Sequence, residues 1–273
     1  MKVIQVGAGS GGMPVLDLVC RDSRIGAVTL IEPDLYKPHN VVRHLFAADN
    51  VGRTKAELAE QWVRERCPHL ELKTIAGDLL DQELASQIEH EAATSTVGIC
   101  AVDNEPAKVA WDALMRRWQI PWTLGEVLSG GIGGFIHWFR PGGPCYGCVA
   151  SFLQRAVSAP SPGQPDYSQP GGPVQETTIP ASAASIHVIA ALHAQITLEL
   201  LANPSGYDPG FTSLLLTLQK VPGMFEEAYR PYRFQIPRAD DCLICSGTAP
   251  AASTSVEELD VELDRAFSRL GHA

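Results

Sequence analysis

No lysine- or arginine-rich run interrupts this chain, and its 21 basic against 31 acidic residues leave a formal charge of -10 over 273 residues. That balance argues against a nucleic-acid backbone as partner, because nothing offsets the overall repulsion. No apolar run is read as reaching membrane-spanning length, so no membrane partner is expected. A signal peptide is not expected either, since residue 2 already opens the first core strand, and the expected location is the cytoplasm. The stretch SFLQRAVSAPSPGQPDYSQPGGPVQETTIPAS, rich in Pro, Gly and Ser, holds no cysteine. It reads as an irregular crossover loop, about residues 154–181.

What is there begins at the first residue. MKVIQV is a short β-branched run, GAGSGG follows at once, and MPVLDLVCRDS is apolar at helical spacing. Strand, tight turn and helix are the expected sequence of elements, and AVTLIE adds a second strand ending on Glu32. Gly7, Gly9 and Gly12 supply G-x-G-x-x-G, with an acid about twenty residues further on, which is the spacing of a nucleotide-binding βαβ unit. Each glycine has its own task. The first permits the turn, the second lets a phosphate approach the backbone, and the third lets helix and strand close up. The helix N-terminus then offers free N–H groups to an anion, and Glu32 can accept from ribose hydroxyls.

With 45% hydrophobic residues the chain can bury a full core, and one large α/β domain is expected over residues 1–245. After Glu32 it departs from a plain strand–helix repeat. Asn40 and Arg43 stand three apart, then Gly52 and Lys55 precede a helix with a buried side made by Ala56, Leu58, Ala59, Trp62 and Val63. Two cations and an amide thus converge near the glycine turn. TVGICAV reads as a strand buried on both faces of a parallel sheet, with Asp103 at its carboxyl end, where such sheets bind ligands. The same Asp103 could instead cap the helix starting near Pro106.

Taken together, GAGSGG, Glu32 with Asp34, Asn40 with Arg43, Gly52 with Lys55 and Ala56, and Asp103 with Asn104 resemble the ThiF/MoeB/HesA family, the adenylating domains shared with ubiquitin-activating enzymes. The match runs from residue 1 to about residue 245. The resemblance implies a Rossmann-like, doubly wound, mostly parallel sheet with a C-terminal antiparallel extension. It also implies ATP and magnesium as cofactors, and as substrate the C-terminal carboxylate of a ubiquitin-like β-grasp protein ending in glycine, or of a peptide. Carried over by residue, Glu32 takes the ribose, Arg43 and Lys55 the phosphates and Asp103 the magnesium, with Gly7, Gly9, Gly12, Asp34 and Asn40 lining the nucleotide. Fixed cations and a metal suit a carboxylate that must attack a polyphosphate. Lys108 stands where the family often has arginine and keeps the charge without the bidentate geometry. A homodimer is implied as well. Dimeric members often reach across with an arginine from a helix before the glycine-rich strand; the sequence has nothing before Met1 to supply it, so the expectation is that another arginine substitutes, that catalysis is slower, or that a partner subunit provides it.

Cys145 and Cys148 form one C-x-x-C, and Cys242 and Cys245 a second. Two such pairs fit a tetrahedral Cys₄ zinc site, closed and therefore structural, stapling the C-terminal segment to the core; a redox disulfide is the weaker reading. Zinc sites of this makeup occur in the family. Cys20, Cys67 and Cys100 read as packing residues. Many family members carry a catalytic cysteine in the loop after the first knuckle. Its absence predicts adenylation without a thioester on this chain, the acyl group passing to an outside thiol, conjugating enzyme or sulfur donor.

Gly130, Gly131, Gly133 and Gly134 mark a strand entry where either an incoming tail or a plain bend would explain them. IHVIAALHAQITLELLA reads as a helix apolar nearly all round, suited to a subunit interface, with His187 and His193 as core or interface residues. LLLTLQKV and YRFQIPR read as strands of the sheet extension. Residues 246–255 read as a linker, and 256–270 as an amphipathic helix with Leu259, Leu263, Ala266, Phe267 and Leu270 on one face. Two other classes of function stay open: a nicotinamide-dependent oxidoreductase, supported by the glycine motif and Glu32 alone, and a silent scaffold subunit.

Overall fold

The computed structural model describes residues 1–153 and 180–246. The expected linker beyond Ser246, the C-terminal helix and all but the last two residues of the crossover loop lie outside the described residues. Within them the chain alternates strand and helix: β1 (Lys2–Val6), α1 (Gly12–Val19), β2 (Ala27–Ile31), α2 (Lys55–Arg66), β3 (Glu71–Ile75), α3 (Ala85–Ala93), β4 (Val97–Cys100), α4 (Glu105–Arg117) and β5 (Trp122–Val127). Then come β6 (Gly133–Phe139), α5 (Tyr146–Phe152), α6 (Ala183–Ala202), β7 (Ser213–Thr217) and β8 (Pro231–Phe234).

The strands form one eight-stranded sheet in the order β3-β2-β1-β4-β5-β6-β7-β8. The first five are parallel and the last three antiparallel to their neighbours, as expected. The order reverses at β1, flanked by β2 on one side and β4 on the other, so the loops leaving β1 and β4 face one crevice.

Alternation along the strands builds two cores. Val3, Val28 and Val97 point to the layer formed with α1, α2 and α6. Ile4, Ile31 and Cys100 point to the layer holding Trp111 and Met115 of α4. Between β5 and β6, Trp122 stacks on Phe139 with ring centroids 3.9 Å apart, a cross-strand pair that fixes register where the sheet changes direction.

Two expectations change. α6 has 20 residues and a mean hydropathy of 1.4 over its most apolar window, so by length and composition it could cross a membrane. It packs on α1, β5 and β6, which buries Ile186, Ile189, Ala190, Ile196, Leu200 and Leu201, while Val188 stays 45% exposed. The glycines at the entry to β6 are likewise filled by this chain's own backbone. A Cβ at Gly133 would lie 2.6 Å from the Leu216 carbonyl oxygen, and one at Gly134 2.6 Å from that of Glu126. Close approach of this chain's own neighbouring strands requires glycine at these two positions.

Candidate active site

β1 delivers the chain to Gly7, whose φ of +92° an L side chain rarely adopts, and where a Cβ would lie 2.5 Å from the Ala101 carbonyl oxygen. Gly12 opens α1 so close to the turn that a Cβ would lie 2.3 Å from the Gly7 carbonyl oxygen. Gly9 differs, for a Cβ there would meet nothing within 4 Å. The first and third glycines are spatially obligatory, and the second borders open space of the kind a phosphate needs. No side chain caps the first turn of α1 and no acid occupies it.

A residue the sequence reading passed over holds this turn. Gln5 is fully buried and its Nε2 donates to the carbonyl oxygens of Gly7 (2.8 Å) and Gly12 (2.9 Å), tying both ends of the loop to β1. An amide in the middle of an apolar strand, VIQV, was the available signal.

Glu32 follows β2 and is only 4% exposed. Its carboxylate accepts from the N–H groups of Ala8 and Asp34, and Lys55 Nζ stands 3.8 Å away. Burial pushes its pKa above the ordinary carboxylate value, against the opposing pull of Lys55 and the two N–H groups. Lys55 is the first residue of α2, buried, with Nζ 2.7 Å from the half-exposed Asp34 carboxylate. Thr54 caps that helix by accepting from Glu57 N, and Lys55 N donates to the Asp34 carbonyl, so the lysine's direction is set by the backbone.

Asn40 closes a short 3₁₀ turn, Pro38–Asn40, and its side-chain oxygen accepts from Lys37 N at 2.9 Å, a local task the spacing alone did not reveal. Arg43 follows, with its Nε buried and without a hydrogen-bond partner among the described residues. His44, also missed, carries this segment to the glycine turn: its Nε2 is 3.0 Å from the Ala8 carbonyl oxygen. Burial, with help from Lys55, Arg43 and His187, lowers its pKa to about 4, so the ring is neutral and donates to the Ala8 carbonyl. His187 of α6 has a buried Nε2 without a hydrogen-bond partner among the described residues.

Across the crevice, Asp103 lies exposed in the loop after β4. The cap of α4 is Asn104, accepting from Ala107 N at 2.8 Å, so Asp103 is not spent on helix capping. The structure therefore brings Gly7, Gly9, Gly12, Glu32, Asp34 and Lys55 around one turn, with Arg43 beside His44, which bonds that turn, and Asp103 on the neighbouring strand exit. Lys108 is engaged elsewhere. Only 5% of its side chain is exposed, and it bonds Glu105 (2.7 Å) and Glu126 (2.6 Å), with Glu126 continuing to His137 and Glu105 to the Tyr146 hydroxyl. His193 is a core residue as expected, hydrogen-bonded to Thr123 at 2.9 Å.

The four knuckle cysteines meet although 97 residues separate Cys145 from Cys242. All four Sγ atoms lie within 4.8 Å of one another, with separations of 3.8 Å for Cys145–Cys148 and 3.5 Å for both Cys145–Cys242 and Cys148–Cys245. Tetrahedral thiolates at about 2.3 Å from zinc would be about 3.8 Å apart, so the donor set fits that ion and leaves it no open position. Gly147 permits the knuckle, since a Cβ there would lie 2.7 Å from Ile244.

The ThiF family profile matches residues 1–240. This chain belongs to the ThiF family. Among curated relatives of this member, the SAMP-activating enzyme E1 of Haloferax volcanii is 28% identical over 172 residues, 62% of this chain and 59% of that one. Ubiquitin-like modifier-activating enzyme 5 of Drosophila ananassae is 26% identical over 156 residues, 54% of this chain and 39% of that one. The chain thus matches between two fifths and three fifths of those relatives' length. Among solved structures, E. coli MccB with ATP superposes with a TM-score of 0.63 at 18% identity, covering 89% of this chain and 66% of that one. PaaA gives 0.60 at 18% identity, covering 87% of this chain and 64% of that one. Those likenesses establish the fold.

Proposed function

We propose that this protein adenylates a C-terminal carboxylate, that of a ubiquitin-like protein ending in glycine or of a peptide, at the expense of ATP. The observation that carries the reading is a buried Lys55 paired to Glu32 and Asp34 beside the glycine turn, the open space at Gly9, and an Arg43 next to the turn-bonded His44 whose Nε has no partner among the described residues. Glu32 would receive the ribose hydroxyls, and Asp34 would release Lys55 as the phosphates arrive. A carboxylate oxygen then attacks the α-phosphorus, the bond from that phosphorus to its bridging oxygen breaks, and pyrophosphate leaves. Arg43 and Lys55 stabilise charge that spreads over the phosphate oxygens, and because folding has already oriented them they need no reorganisation during the step. Asp103 would hold magnesium, which screens the polyphosphate from the incoming anion. Zinc would be held by Cys145, Cys148, Cys242 and Cys245, away from the chemistry.

Handover is direct in this proposal. Four of the seven cysteines suit the metal; Cys20, Cys67 and Cys100 are buried, with burial raising the Cys20 thiol and pushing Cys100 up to about 12. The acyl group therefore passes to an external thiol or sulfur donor. The proposal includes a homodimer, in the cytoplasm, without membrane or nucleic-acid partners. A nicotinamide oxidoreductase accounts for Glu32 but gives no use to Arg43 and Lys55.

Titration with Mg·ATP and with NAD, using Arg43→Ala as control, tests this. Saturable ATP binding weakened by the substitution, with pyrophosphate exchange falling roughly 10²–10³-fold, is expected. NAD binding indifferent to Arg43 overturns the proposal in favour of an oxidoreductase, and binding of neither points to a scaffold.

A further inference from the structure

At the opposite end of the sheet from the glycine turn, beside the first residue of β5 and the last of β6, lies an open cavity of about 510 Å³. Its walls carry Arg116, Arg117, Arg140 and Arg238, with Phe139 on the floor and Cys245 at the rim. Four guanidinium groups around one groove are conspicuous in a chain of net charge -10. Two are paired already: Arg116 with the buried Asp112 at 2.8 Å, and Arg117 with Glu89. The other two are not. Arg140 has no carboxylate within ion-pair distance among the described residues and only faces the Trp138 ring at 5.8 Å, while Arg238 donates to the Cys245 carbonyl oxygen. Both are exposed. The turn Pro141–Pro144 and the zinc-type knuckle fix their backbones, so the groove is held open by structure unrelated to the nucleotide site.

Described chain ends at Ser246, one residue after Cys245 in the groove wall. Ten residues further on begins VEELDVELD, residues 256–264, which has five acids (Glu257, Glu258, Asp260, Glu262 and Asp264), the first of them eleven residues from Ser246, and no base. Eleven residues can reach at most roughly 36–40 Å, more than enough to return to a groove that begins at the tether point. We infer that the Arg140–Arg238 groove is an intramolecular docking site for this chain's own acidic stretch, Glu257–Asp264. The short tether raises the local concentration of the acids at the groove, and carboxylates match guanidinium donors in geometry as well as charge. This role needs neither ATP nor the adenylation chemistry.

The test uses the full chain with Arg140→Lys and Arg238→Lys, which keep both charges and supply amines for zero-length carbodiimide crosslinking. Mass spectrometry of peptides from a 1:1 mixture of ¹⁴N- and ¹⁵N-labelled protein then separates links within a chain from links between chains. Links from position 140 or 238 to Glu257–Asp264 within one chain are expected, falling at least about fivefold between 0.05 and 0.5 M NaCl as the pairing is screened. The Lys73–Glu91 pair, 2.5 Å apart in the folded domain, is the internal control for folding and coupling. Absence of the tail links while the control link forms overturns the inference. So do links found only between isotopically mixed chains, which would make the occupant a second copy, and links undiminished by salt.

Discussion

Replacing Gly9 and Gly12 separately by alanine distinguishes a glycine required by the fold from one required by the ligand. At Gly12 the added methyl meets the Gly7 carbonyl oxygen at 2.3 Å, a backbone atom that Gln5 Nε2 holds in place. Overpacking of this kind costs about 1–3 kcal/mol. For a domain of this size that is a fall in melting temperature of roughly 2–12 °C. At Gly9 the methyl meets no protein atom within 4 Å, so the ligand-free protein should melt within about 2 °C of the parent, the loss of unfolded-chain freedom even favouring the variant slightly. The same methyl projects into the space assigned to phosphate. ATP affinity should therefore fall at least about tenfold, or 1.4 kcal/mol. Scanning calorimetry without nucleotide and ATP titration by calorimetry read the two effects separately. Parental ATP affinity in Gly9→Ala would refute the placement of phosphate at this turn, and parental stability in Gly12→Ala would refute the packing argument.

Lys108→Met should destabilise the domain by about 3–5 kcal/mol, because the buried lysine is the cation for Glu126, whose side chain is only 14% exposed, and also for the partly exposed Glu105, and urea unfolding reads this directly. Burial lowers the His44 pKa from its ordinary 6.5 to about 4. Its contribution is thus fully present above pH 6.5 and lost as the pH falls towards 4, on the order of 3 kcal/mol, and His44→Gln should flatten the stability–pH curve in that window. Stripping metal with a strong chelator, or Cys242→Ser, should leave less than about 0.1 equivalent of zinc by atomic absorption and expose the segment after Ile236 to protease, since the four thiolates are what tie Cys242 and Cys245 to α5.

Much of the site was legible because its signals are local. Backbone conformation and steric closeness force glycine at Gly7 and Gly12, and the parallel sheet forces an apolar β4 to end where ligands bind, so both could be read from spacing. Gln5, His44 and the pairing of Lys108 with Glu126 were not legible in that way. Each is a buried polar group whose partner is distant in sequence, and only the folded chain says whether it is satisfied. The apolar helix Ala183–Ala202 shows the same limit from the other side: composition alone fits a membrane, an interface or a core, and only the fold shows that α1, β5 and β6 cover part of it. By itself, then, the sequence determined the βαβ start, the order of strand types and the membership of two cysteine pairs, all properties of short-range pattern. Tertiary structure alone decided that four sulfurs meet, that Asn104 rather than Asp103 caps α4, and that Arg140 and Arg238 face one groove. These depend on which distant segments pack together, and packing is settled by the whole core rather than by any stretch of it.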